Sequence, residues 1–161
     1  MRVLLFVGIL FTFHLNAQVA RFDNLRKIQT GPYFGLQQGR NVVIELGMER
    51  ISKEIKWKSP NAFGLNAGVN FDYRARVLGG EIGSWFRPGR MSFTLGGAIA
   101  VRSDFNDVMI GLAPMLGYKI WMFHAFVGYY FYPTPLPNAQ TNQLFVSLRI
   151  MLTQQSKWKN K

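Results

Sequence analysis

The chain has 161 residues, no cysteine and a formal net charge of +11, with 15% aromatic and 17% charged residues. The length suits one domain, and the lack of cysteine excludes disulfides, thiolate metal sites, a cysteine nucleophile and a lipid-modified cysteine. Soluble domains average about 25% charged residues, so this deficit beside an aromatic excess points to a surface not built for water.

The N-terminus reads as a signal peptide over residues 1–17. Arg2 supplies the positive region, Val3 to Phe13 the apolar stretch, and Leu15-Asn16-Ala17 the cleavage site. The apolar run falls short of the ~20 residues that a spanning helix needs, and no other segment approaches that length. Export makes nucleic acid an unsuitable partner for the excess of Lys and Arg. Acidic lipid headgroups, lipopolysaccharide phosphates or an acidic protein suit it better.

Residues 18–30 show no clear period and read as a polar periplasmic lead-in. Eight strands are then expected at 31–38, 41–51, 61–73, 76–87, 91–102, 108–119, 123–132 and 142–152. Turn chemistry marks most connectors, as in Gly39-Arg40-Asn41, Pro88-Gly89-Arg90 and Ser103 to Asp107. Lys119 to Phe123 has no turn residues. Residues 153–161 read as a basic periplasmic tail.

The third segment is the most regular. Phe63, Leu65, Ala67, Val69, Phe71 and Tyr73 alternate with Gly64, Asn66, Gly68, Asn70 and Asp72. Strands turn alternate side chains to opposite faces, so one face is apolar and the other polar or small. Its length matches the roughly 9–11 residues of a tilted strand that crosses a bilayer. The second, fifth, sixth and eighth segments follow suit. The fourth and seventh are rougher, with Val77, Trp85, Phe126 and Tyr130 on the polar side.

Alternation fits two barrels, a soluble one with its apolar face inside and an outer-membrane one with that face outside. The second face decides between them. It is mostly Gly, Ala, Ser and Asn with a few charges and bulky aromatics, a mixture that suits a narrow interior rather than water. The expected fold is all-β, a closed antiparallel up-and-down transmembrane β-barrel over residues 31–152. With the first strand running outward, Phe63, Phe86, Phe93, Tyr118 and Phe123 form one aromatic belt, and Phe71, Tyr73 and Phe131 the other. An open sheet edge in hydrocarbon would leave N–H and C=O groups unpaired, so the sheet must close.

On this pattern the chain resembles the small eight-stranded outer-membrane barrels of the OmpA/OmpX-like class. The resemblance rests on the signal peptide, eight alternating segments, aromatic rims and an apolar last strand ending at Leu152. It implies a fold and an outer-membrane location in a Gram-negative-type envelope. It implies little about activity, because the class includes anchors, adhesins, enzymes and accessory subunits. Three features depart from the class: the tail after Leu152, short exterior loops, and Pro114 within a strand, where it removes a ladder donor.

Parity places Glu45, Glu49, Glu81 and Arg149 in the lumen, with Arg102 and Lys119 near opposite rims. Buried charges must pair, so an Arg149 network with Glu45 or Glu49 is expected. Eight strands enclose just enough room for side chains, so a filled, non-conducting lumen follows. No cofactor, metal or catalytic residue is expected. His124 is the one histidine outside the leader, and Ser92 has no evident acid partner. Possible contacts to lipid or a protein partner are Lys53, Lys56, Lys58, Arg87 and Arg90 on the periplasmic side, and Arg40, Arg74 and Arg76 on the exterior side. The expected role is a non-enzymatic barrel acting structurally or as an accessory subunit of a larger outer-membrane complex. The alternatives are a lipid-modifying enzyme acting on lipid A or phospholipid, and then a secreted lipocalin-like binding barrel.

Overall fold

The computed structural model describes residues 25–54, 60–133, 142–152 and 155–160. The signal peptide, Lys56, Lys58 and residues 134–141 lie outside the described residues. Nine strands form one antiparallel sheet: β1 Leu25–Gln38, β2 Val42–Glu54, β3 Ala62–Asp72, β4 Val77–Arg87, β5 Phe93–Ser103, β6 Val108–Ile120, β7 Phe123–Tyr129, β8 Leu144–Met151 and β9 Gln155–Asn160. Each of β1 to β8 pairs with the next, and β1 also pairs with β8, so eight strands close into an up-and-down barrel.

The register fixes the barrel's shape. Ladder partners run once round the wall from Ile28 to Ser52, Phe63, Phe86, Leu95, Leu116, Val127 and Val146, and return to β1 at Gln38. The circuit therefore advances ten residues along β1. For eight strands about 4.8 Å apart with a rise of about 3.3 Å, that stagger implies a tilt of about 41° and a backbone radius of about 8 Å. An 11-residue strand at that tilt stands about 27 Å tall.

Burial follows parity. β6 alternates exposed and buried along its whole length, and β3 nearly so. Trp85, Phe126 and Tyr130 point inward and are buried, as their parity requires despite their bulk. Glycines give them room. A Cβ on Gly64 would overlap the Trp85 indole, and one on Gly47 would lie 2.6 Å from Cε1 of Tyr33. Gly64→Val should lower the unfolding free energy by about 1–3 kcal/mol through overpacking. Gly97→Val should stay within about 0.5 kcal/mol, because Gly97 lies on the outer wall. A Cβ there would meet nothing nearer than 3.5 Å. Urea midpoints of the folded barrel check both.

Two details differ from the sequence expectation and two others complete it. β1 begins at Leu25, inside the expected lead-in, and β9 lies within the expected tail. The two pair with each other, from Thr30↔Gln155 to Leu25↔Asn160. Three steps along β1, from Tyr33 to Thr30, face four steps from Met151 to Gln155, the offset of a β-bulge. The β6–β7 connection is two residues, Trp121 and Met122, with Trp121 at φ 50°. Only the geometry of the turn, not its residue types, reveals it.

Pro114 lies within β6, as the sequence expects. Leu112 and Phe131 exchange both backbone hydrogen bonds, which puts Pro114 opposite Tyr129 at the next hydrogen-bonding position of the β6–β7 ladder. Proline has no N–H to donate there, and continuous β6–β7 pairing resumes only at Met115↔Gly128. The strand survives because β5 pairs with it throughout, Gly97 lying opposite Pro114.

Candidate functional site

Among the described residues the lumen is where the fold gathers its buried chemistry-bearing side chains. Glu45, Glu49, Glu81, Arg102, Lys119 and Arg149 all lie within it, none more than 6% exposed. Three acids thus balance three bases. A concavity of about 430 Å³ lies on the outer wall instead, lined by residues including Leu65, Ile82, Gly97, Ile99 and Pro114.

Two separate charge clusters fill the lumen. In the first, Arg149 bridges two acids, its Nε donating to Glu45 Oε2 at 2.6 Å and its Nη2 to Glu81 Oε1 at 2.7 Å. The Ser147 hydroxyl donates to Glu45 Oε2 at 2.9 Å, and the Tyr130 hydroxyl to Glu81 Oε2 at 2.6 Å. With its amide turned so that oxygen faces the guanidinium, Asn66 accepts from Arg149 Nη1 at 3.0 Å. The Arg102 guanidinium lies 4.4 Å over the Tyr130 ring and finds no hydrogen-bond acceptor. Its charge is balanced through that ring, whose hydroxyl is bound to Glu81.

The second cluster lies toward the end where β1 starts and β2 finishes, hereafter the near end. Lys119 Nζ donates to Glu49 Oε2 at 2.9 Å, and Trp85 Nε1 to Glu49 Oε1 at 2.7 Å. Of the two acids expected as partners of Arg149, Glu45 is the one it binds, and Glu49 belongs to Lys119. Thr94 Oγ1 lies 2.9 Å from His124 Nε2, and His124 Nδ1 lies 3.4 Å from Lys119 Nζ. The hydroxyl, imidazole and carboxylate have the order of a nucleophilic triad. With Lys119 as an ammonium donating to Nδ1, the ring proton sits on Nε2 and points at Thr94, an arrangement without a base for the hydroxyl proton. Glu49 Oε1 is also 3.7 Å from Nδ1, too far to orient it. All three groups are buried.

The far end is tied by amides. Asn41 Nδ2 donates to Asp72 Oδ2 at 2.9 Å, Asn41 N to Asn142 Oδ1 at 2.8 Å, and Asn142 Nδ2 to Asn41 O at 2.9 Å. These bonds link the β1–β2 turn, the end of β3 and the approach to β8. In the β5–β6 loop, Asp104 accepts from the backbone N–H groups of Asn106 and Asp107, which hold its carboxyl below the usual range.

All eight expected belt aromatics are exposed on the outer wall. Phe63 pairs with Phe86 and Phe93 with Tyr118 near one end, and Phe71 and Tyr73 lie toward the other. Among the basic residues, Arg90, Arg40, Arg74 and Arg76 are exposed, and Lys53 and Arg87 are half-buried. Sequence reasoning missed Thr94 and Asn142, and missed Trp85 and Tyr130 as donors. Parity could have put the strand residues inside, but their partners across the lumen depend on register. No group of three or more His, Cys, Asp or Glu able to hold a metal occurs among the described residues. Comparison with protein-family models, curated proteins and solved structures gives no match. What the geometry defines by itself is a closed barrel of inverted polarity, apolar outside and charged within.

Proposed function

We propose that this protein is an integral outer-membrane barrel with a plugged, non-conducting lumen, acting structurally or as an accessory subunit of a larger envelope complex. The observation that carries this reading is the inverted polarity: Leu46, Leu65, Ile82, Leu95, Ile99, Leu112, Leu116 and Val127 are exposed, while the six lumen charges and Asp72 are buried. Water would oppose that arrangement on both faces, whereas hydrocarbon favours it. The strand height of about 27 Å fits the apolar band of about 25 Å that such barrels present.

Lipid and lipopolysaccharide would surround the wall, with Arg40, Arg74 and Arg76 available to phosphates at the outer surface and the basic near end facing the periplasm. A filled interior argues against a porin, the short β1–β2, β3–β4 and β5–β6 connections against an adhesin, and the burial of Thr94, His124 and Glu49 against an acyl-transfer enzyme. Urea or carbonate washing of native membranes should leave the protein in the pellet. Gentle detergent extraction should recover it with a second envelope protein. Release by the wash defeats the membrane reading, and recovery only as a lone monomer defeats the accessory-subunit reading.

A further inference from the structure

The barrel uses β1 to β8, and β9 is left at the end of the sheet order with β1 as its one partner among the described residues. β7 starts at Phe123, opposite Ile150, so no described β7 residue runs beside Gln155–Asn160. Residues Gln155 to Trp158 are exposed. Among the described residues β9 therefore presents an unpaired row of backbone N–H and C=O groups, a template for a further strand.

The charges around this edge are predominantly basic. Arg26, Lys27, Lys53, Arg87, Arg90 and Lys157 stand at the near end, where Glu54 is the one acid among the described residues outside the lumen. Lys27 Nζ lies 5.4 Å from the Trp158 ring, a cation–π contact that braces β9 against β1. Lysines on an edge oppose pairing with a second copy, which brings the same charges. They favour an acidic strand by the same force.

We infer that the free edge of β9 docks an extended acidic segment of another polypeptide, which adds as a strand beside Gln155–Asn160. Main-chain hydrogen bonds would hold the segment, and the basic rim would select its side chains. This deepens the accessory-subunit reading and rests on it.

The test uses the full chain folded in phosphatidylcholine nanodiscs and a labelled eight-residue peptide of alternating Glu and Thr. The peptide should bind and should slow amide exchange along β9. Affinity should drop at least tenfold for the Lys–Thr peptide, for a Glu–Thr peptide N-methylated at alternate residues, and for the protein carrying Lys27→Glu and Lys157→Glu. Both substitutions lie outside the closed wall, and retention of the heat-sensitive gel mobility of a folded barrel confirms that they leave it intact. Absence of binding overturns the proposal. So does undiminished binding of the N-methylated peptide, or equal competition by phosphatidylglycerol vesicles, since charge alone would then suffice. Either failure in a wash-resistant, folded barrel sinks the docking edge alone, whereas release from membranes sinks the parent reading.

Discussion

Arg149→Met should lower the unfolding free energy of the barrel by about 3–5 kcal/mol, the cost of breaking a buried ion pair from one side. The side chain is of similar length, so little packing is lost. What is lost is the cation between Glu45 and Glu81, which it joins at 2.6 and 2.7 Å. The two carboxylates are then left facing each other in a space that water does not reach. Removing Glu45 as well should restore most of the loss. The double variant Arg149→Met, Glu45→Gln keeps shape and leaves Glu81 facing Arg102 and Glu49 facing Lys119, and the new amide can still accept from Ser147. Urea titrations of the folded barrel measure both. A single variant as stable as the parent would mean that the network does not hold the lumen together.

The acids and bases of the lumen were legible in the sequence, but most of their partners were not. Alternation told inside from outside even for Trp85 and Phe126, because parity is a local property of a strand. Pairing is not local. Lys119 reaches Glu49 across 70 positions of sequence, and Arg149 reaches Glu81 across 68. Those meetings follow from a ten-residue stagger that no single strand displays. Arg149 with Glu45 was accessible because β1 touches both β2 and β8 in any closed eight-strand barrel. The extension of β1 with β9 was hidden for another reason. Leu25 to Thr30 and Gln155 to Asn160 alternate poorly in sequence, and of the described side chains there only Gln29 is fully buried.

Height along the wall should decide how much a charge costs on the outer face. Ile99 lies mid-strand, 54% exposed, with Ile82 and Leu112 as its ladder neighbours. Phe105 lies in the β5–β6 loop at the far end, 74% exposed. In water the two sites are nearly equivalent, and an arginine at either changes stability by no more than about 0.5 kcal/mol. In a bilayer they are far apart in depth. Ile99→Arg should then cost about 2–4 kcal/mol and Phe105→Arg about 0–1. Folding into phosphatidylcholine vesicles along a urea gradient measures each, and the difference between them is free of any shared effect of adding charge. The membrane reading rests on burial of this apolar wall in lipid, so equal costs at the two positions would remove its physical basis.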